Sequence, residues 1–425
     1  MTRPRLFHGW PRLFYGWVVV GAAFVVLLIA FGVAYSFGAF FNSFQAEFGA
    51  SRGDVALVFS ISGFLYFALG GVSGVLADRL GPRRVIVVGL LLIAAGLVLA
   101  SRATDLWQVY AAYGLGVGVG VGFTYVPAIA AVQPWFVRRR AFASGVAVAG
   151  IGVGTLVVPV LAARLIESAG WRTAYLVMAA AAALLGIGAA LLIDHGPARR
   201  GLSPDGEAAA ATAAGAGPGG AQAEGPGLRR ALRSRSFRLL YAASTLNSLG
   251  VFIPFVHIAA FAQDQGLPER TGVIMIGFIG VGSIVGRFAL GAAADRLGRR
   301  RSVIGMYAGM AVMMLWWLGA GEAWALALFA LLFGAFYGGL VALMPAITSD
   351  YFGGREISGI IGLLYTSVAV GALVGPPLAG LAYDLGQSYT APILAGALVN
   401  GASIACLLRL GEPRPWPARA QGVDP

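Results

Sequence analysis

The chain has 425 residues, of which 58% are hydrophobic and only 11% charged, with a mean hydropathy of +0.80. A soluble domain carries about 25% charged residues, so this composition excludes an ordinary soluble protein and belongs in a bilayer. The formal net charge of +12 includes 30 basic residues, all arginine; they sit in short stretches between apolar runs, which is the positive-inside pattern and not a nucleic-acid surface.

The chain opens on a small duplication, Pro4-Arg5-Leu6-Phe7-His8-Gly9-Trp10 followed by Pro11-Arg12-Leu13-Phe14-Tyr15-Gly16-Trp17. It reads as an interfacial tail with aromatic anchors. The apolar run behind it is longer than the core of a secretory signal and reads as a first spanning helix. Twelve spans follow at 16–41, 54–77, 84–102, 107–132, 141–165, 171–194, 239–265, 271–293, 302–320, 323–348, 357–383 and 389–409, each near the ~20 residues that a bilayer core requires. The arginines between spans divide 24 to one face and 5 to the other, with Arg287 inside the eighth span. That bias puts both termini and the arginine-rich loops in the cytoplasm.

Gly74-Val75-Leu76-Ala77-Asp78-Arg79-Leu80-Gly81, between spans 2 and 3, returns 217 positions later between spans 8 and 9 as Gly291-Ala292-Ala293-Ala294-Asp295-Arg296-Leu297-Gly298. Six of these eight positions are identical. Such a repeat over half the chain predicts two copies of one unit. The expected fold class is an all-α integral membrane protein with 12 transmembrane helices in two pseudo-symmetric six-helix bundles. Residues 1–194 form the first, 195–237 a flexible cytoplasmic linker rich in Ala, Gly, Pro and Arg, 238–410 the second, and 411–425 a cytoplasmic tail.

In span 4, Gly114, Gly116, Gly118, Gly120 and Gly122 alternate. On a helix, 114/118/122 and 116/120 are ladders on separate faces, which let neighbouring helices approach closely. Gly150 and Gly154 repeat the device in span 5. A phosphate loop would need a preceding strand, which is missing.

Twelve spans in two similar halves resemble the major facilitator superfamily, and the repeated loops resemble its signature between helices 2 and 3 and helices 8 and 9. That resemblance implies a conformational gate at Gly74, Asp78, Arg79, Gly81, Gly291, Asp295, Arg296 and Gly298, with the Asp and Arg charges latching the halves on the cytoplasmic side. Within the superfamily the chain is similar to the monocarboxylate transporters. The similarity is carried by Gly16-Trp17 with Ser36-Phe37-Gly38-Ala39-Phe40-Phe41, by Trp135-Phe136-Val137-Arg138-Arg139-Arg140-Ala141-Phe142-Ala143-Ser144-Gly145, and by Pro254-Phe255-Val256-His257 with Phe261-Ala262-Gln263-Asp264-Gln265-Gly266. Many animal members have a lysine near the position of Tyr35 and an Asp at that of Ser283; neither is present here.

Arg287 stands well inside a span, where an arginine costs at least ~2.5–3.5 kcal/mol on insertion scales. Its helical neighbours Gly280, Ser283, Ile284 and Gly291 form a small, slightly polar face suited to a cavity. Mid-span acids are nearly absent, so the planar guanidinium is read as the holder of a substrate carboxylate. Tyr125 precedes Pro127 and Tyr337 precedes Pro345, and both prolines open Pro-Ala-Ile; helices loosened in this way line midplane sites. Tyr35, Asn247, Ser283, Tyr365 and Ser367 complete the substrate-binding candidates. Asp264 and His257 are the candidates for proton coupling.

Three histidines, one cysteine and few intramembrane acids leave no metal cage, no cofactor site and no catalytic triad, so the chain is not expected to be an enzyme. The expected function is proton-coupled transport of small monocarboxylates such as lactate and pyruvate by alternating access, by a monomer in the lipid bilayer. The expected location is a bacterial inner membrane, the absence of lysine being the composition of a GC-rich bacterial genome. An oxalate–formate type anion exchanger would call for a second cation in span 11, where Leu363-Leu364-Tyr365-Thr366-Ser367-Val368-Ala369 has none. A non-transporting membrane sensor would call for a folded output domain, which the linker's composition does not supply.

Overall fold

The computed structural model describes residues 14–137, 139–194, 196–206, 228–353 and 357–413. Most of the duplicated N-terminal tail, the centre of the linker, Arg138, Arg355, Arg414 and Arg419 lie outside the described residues. No strand occurs among those described. In a bilayer the backbone can satisfy its own polar groups only within helices or closed barrels, and the described spans take the helical solution.

Nine helices among the described residues are long and apolar enough to cross a membrane, ten when one bent pair is taken as a single span. The 50-residue run Phe142–Leu191 is two helices, because Gly170 breaks it at φ 81°, ψ 160°. Arg299–Trp317 opens on three arginines and completes the set. In chain order the helices are α1 (Tyr15–Phe48), α2 (Arg52–Ala68 and Gly70–Leu80, bent by 49°), α3 (Pro82–Ala100), α4 (Leu106–Trp135), α5 and α6 (residues 140–169 and 171–191), α7 (Arg235–Asp264), α8 (Glu269–Leu297), α9 (Arg299–Trp317), α10 (Ala323–Phe352), α11 (Ile357–Gly386) and α12 (Thr390–Arg409). Each expected span has its helix within a few residues.

The repeat is visible in local geometry. Gly81 and Gly298 close α2 and α8 at φ 90° and 88°, a region that glycine enters without steric cost. Two residues later in each copy, an arginine covers the C-terminal carbonyls of a neighbouring helix. Arg83 Nε donates to the Ile193 carbonyl at 2.6 Å, and Arg300 Nη2 to the Leu407 carbonyl at 3.0 Å. A cation there satisfies orphan acceptors and suits the negative end of the helix dipole. Equivalent breaks interrupt the first helix of each half, at Ser36 in α1 and Phe252 in α7.

The linker expectation needs one correction. Leu228–Arg233 forms a short helix, because Ala231 is fully buried and Leu228 rests against Gly359 of α11. The spacing of Leu228, Ala231 and Leu232 is that of a helix face, overlooked among the arginines.

The glycine ladders work as their spacing predicts. Gly116 and Gly120 meet Gly96 and Gly89 of α3, while Gly114, Gly118 and Gly122 face Ile61, Ser62 and Tyr66 of α2. Gly150 and Gly154 face the Phe24 and Leu28 carbonyls of α1. The tightest seam joins α8 to α10, where a Cβ on Gly286 would run into the Ala335 carbonyl and one on Gly338 into that of Ser283. Backbone cannot yield as a flexible side chain can, so Gly286→Ala is expected to force the helices apart at a cost of about 1–3 kcal/mol. Gly291, with nothing within 4 Å of an added Cβ, should accept alanine with unchanged stability. Thermal unfolding of the two variants in detergent checks the contrast, and equal melting temperatures would refute this account of the seam.

Candidate functional site

The second half meets the first chiefly where α11 packs on α2 and α8 on α5, with α7 facing α1 between them. Between the halves lies a cavity lined by Arg287, Tyr35, Tyr125, Asn247, Tyr337 and Tyr365, with Phe31, Phe67 and Phe252 among its apolar walls. About 60 Å³ is open there to the centre of a water-sized sphere, room for several waters or a small organic anion. Both halves contribute, and the broken helices α1 and α7 bring Tyr35 and Phe252 to it.

Arg287 reaches the cavity from α8, one turn after Ser283 and beside the glycine seam with α10. Its Nη1 donates to the Val148 carbonyl of α5 at 2.9 Å, so the guanidinium bridges the two halves. Its Nε is buried with no partner, and among the described residues no carboxylate lies within salt-bridge distance of it. A guanidinium has five donors, and a buried donor without an acceptor is uncommon enough to call for one. Arg287 therefore brings to the cavity a positive charge that no carboxylate among the described residues neutralises.

Above the cavity the Tyr35 and Tyr337 hydroxyls meet at 3.0 Å across the halves, both side chains buried. Phe255 stacks on Tyr35 with ring centroids 4.8 Å apart. This aromatic layer closes the cavity on the face opposite the chain ends.

Beyond it the halves are tied by an arginine that the sequence reading treated only as a loop charge. Arg52, at the start of α2, donates from Nη1 and Nη2 to the two oxygens of Asp264, 2.7 Å each, and from Nη1 to the Tyr389 hydroxyl at 2.8 Å. Its guanidinium lies 3.8 Å from the Tyr383 ring centroid. Asp384 of α11 accepts from the Arg52 and Gly53 backbone amides at 3.0 and 2.9 Å, a carboxylate on a helix N-terminus. No hydrophobic period marks Arg52. The available signal was Asp264, Tyr383, Asp384 and Tyr389 gathered at segment ends on its own face.

His257 is fully buried between the Tyr389 hydroxyl, 3.0 Å from Nδ1, and the Pro376 carbonyl, 2.9 Å from Nε2. A carbonyl only accepts, so Nε2 carries the proton and Nδ1 of the neutral ring accepts from Tyr389. Hydrogen bonds thus run in one direction from Arg52 through Tyr389 and His257 to Pro376. Asp264 pairs with Arg52 and does not reach the cavity of Arg287.

Ser283 and Ser367 lie off the cavity. Ser283 is buried in the α8–α10 seam, and the Ser367 hydroxyl sits 2.7 Å from that of Ser244, which does line the cavity. At the face of the chain ends Asp78, Arg79 and Arg296 are exposed. Among the described residues no ion pair joins Asp78 or Arg79 to the other half.

Two six-helix halves with a charged cavity between them, closed at one face, define a membrane transporter. The sequence model of the Major Facilitator Superfamily matches residues 22–315 and 275–424. The chain is 30% identical to monocarboxylate transporter 12-B of Danio rerio over 370 residues, covering 83% of this chain and 78% of that protein. It is 31% identical to monocarboxylate transporter 13 of Rattus norvegicus over 384 residues, covering 88% and 84%. The fold matches a crystal structure of a mutant POT peptide transporter in complex with sulfate, with a TM-score of 0.70 at 16% identity, over 92% of this chain and 93% of that one. The chain belongs to the major facilitator superfamily and, within it, to the monocarboxylate transporter family. It is a multi-pass membrane transporter and not an enzyme.

Removing the Arg52 guanidinium should loosen the shut face. In a Cys406→Ser background, a cysteine replacing Ser36, which is 1% exposed, is expected to react slowly with a membrane-impermeant thiol reagent. Adding Arg52→Gln should raise that rate several-fold; an unchanged rate would mean that closure does not depend on this pair.

Proposed function

We propose that this protein carries small monocarboxylates of the lactate and pyruvate kind, together with a proton, across the cytoplasmic membrane of a bacterial cell. It works by alternating access as a single chain, with both termini in the cytoplasm. The observation that carries the substrate reading is Arg287, a membrane-depth cation that lines the cavity and has no carboxylate partner among the described residues. A carboxylate offers the two oxygens that the planar fork matches. One fixed cation suits one carboxylate, since a second buried anion would lack a partner. The aromatic and aliphatic walls suit a short apolar remainder, and the names of the relatives agree with that substrate.

The proton reading rests on Asp264 and His257. The Asp264 carboxylate holds the shut face through Arg52, so a proton on Asp264 removes the charge that makes the pair strong and favours opening on that side. His257 joins the same chain of donors through Tyr389. Loading of Asp264 from outside, substrate capture at Arg287 and release past the open chain-end face then form one cycle. The bias of arginines to the chain-end face supports its assignment to the cytoplasm.

Uptake of labelled lactate into proteoliposomes, with and without an inward proton gradient, tests this reading. Stimulation by the gradient, with competition from unlabelled pyruvate, is expected. Uptake only into vesicles preloaded with an organic anion would instead indicate exchange. Arg287→Lys, which keeps the charge but loses the fork, should lower uptake at least about tenfold at equal protein level; full activity in that variant would sink the role given to Arg287.

A further inference from the structure

Asn247 lines the cavity from α7 and is only 3% exposed. Its amide nitrogen donates to Asn400 Oδ1 of α12 at 2.6 Å and faces the Met310 sulfur at 3.9 Å. Asn400 is fully buried, and its own amide nitrogen donates to the Gly396 carbonyl at 2.9 Å. The direction of this relay is set at its far end. A backbone carbonyl can only accept, so Asn400 must turn its NH2 to Gly396 and its oxygen to Asn247. Asn247 must answer with its NH2, both hydrogens of which are then engaged. Gly250 makes the approach possible, because a Cβ there would stand 3.3 Å from the Asn400 amide nitrogen and 3.1 Å from the Gly396 carbonyl.

The Oδ1 of Asn247 is the amide atom left over. Among the described residues it accepts from no protein group, yet it is not among the polar atoms sealed away without a partner, so it opens on the cavity that the residue lines. An oxygen that can only accept repels carboxylate and ketone oxygens and welcomes a hydroxyl or N–H donor. We infer that the Asn247 oxygen, held in this orientation by Asn400, selects monocarboxylates that carry a hydroxyl group near the carboxylate over their keto and unsubstituted counterparts. Asn247 is the group that meets the substrate, and Asn400 is a positioning residue that acts through it. The inference rests on the reading of Arg287 as the carboxylate holder and adds a second point of recognition to it.

The test is competition against labelled lactate in counterflow, using unlabelled lactate, pyruvate and propionate, three acids of similar size that differ at the second carbon. Wild-type protein should bind lactate roughly five- to tenfold more tightly than either of the others, the usual effect of one net hydrogen bond. In Asn400→Leu the Asn247 amide is free to turn, and the three acids should compete equally. A merely structural role for Asn400 would weaken all three together and leave their ratios unchanged, which would overturn the inference. Asn400→Asp, whose protonated carboxyl can donate to Gly396 and accept from Asn247, should keep the wild-type ratio. The wild-type order stands independently of any variant's folding: equal competition by all three acids overturns this selectivity alone. Competition by none of them overturns the monocarboxylate reading and the inference with it.

Discussion

The rest of the site depends on one unbalanced charge. Arg287 sits at membrane depth with no carboxylate among the described residues to neutralise it, and a carbonyl from the opposite half accepts from it. A cation so placed is costly unless water or an anion reaches it. The cavity must therefore stay accessible from one side, and its stability must change when an anion arrives. Because Arg287 belongs to α8 and its acceptor Val148 to α5, anything that draws the guanidinium toward the cavity also touches the junction of the two halves. In the proposed cycle, binding and conformational change share a residue.

The glycines make that arrangement mechanically possible. Hydrocarbon gives helices no hydrophobic reason to associate, so close backbone contact must hold each half together. The α8–α10 seam achieves this with Gly282, Gly286, Gly334 and Gly338 against opposing backbone. Glycines also bring the halves together, Gly280 of α8 against the Gly152 carbonyl of α5 and Gly380 of α11 against the Gly53 backbone of α2. To these the contact between halves adds ion pairs, tyrosine hydroxyls and aromatic edges, which can be broken and remade.

What the sequence disclosed follows from which signals are local. Span length, arginine bias, the Gly114–Gly122 ladders and the repeated Gly-Asp-Arg loops are all readable within a few turns of one helix, and the helices formed where they predict. Arg287 was legible because an arginine in an apolar run stands out against its neighbours. Tyr35, Tyr125, Asn247, Tyr337 and Tyr365 were legible as polar residues on loosened or slightly polar segments, and all reach the cavity. Ser283 and Ser367 have the same local character but face other helices, and rotation about a helix axis is fixed by packing, which spacing alone does not encode. Arg52 was missed for the opposite reason. At a helix start an arginine is ordinary, and its importance comes from partners 212 to 337 positions away.

Arg52 and Arg287 divide the work by their surroundings. Arg52 has a full set of partners, with Asp264 in a bidentate pair, the Tyr389 hydroxyl and the Tyr383 ring. It is satisfied without a ligand and so can hold a closed state. Arg287 has no carboxylate partner among the described residues, and in the proposed cycle an entering anion supplies one. The same guanidinium chemistry gives a clasp in one place and a receptor in the other, and the difference is whether a carboxylate is supplied by the chain. If Asp264 stood beside Arg287 instead, the shut face would lose its clasp and the cavity its attraction for an anion. In the proposed cycle, keeping the acid on Arg52 and out of the cavity is what lets one protein both close and bind.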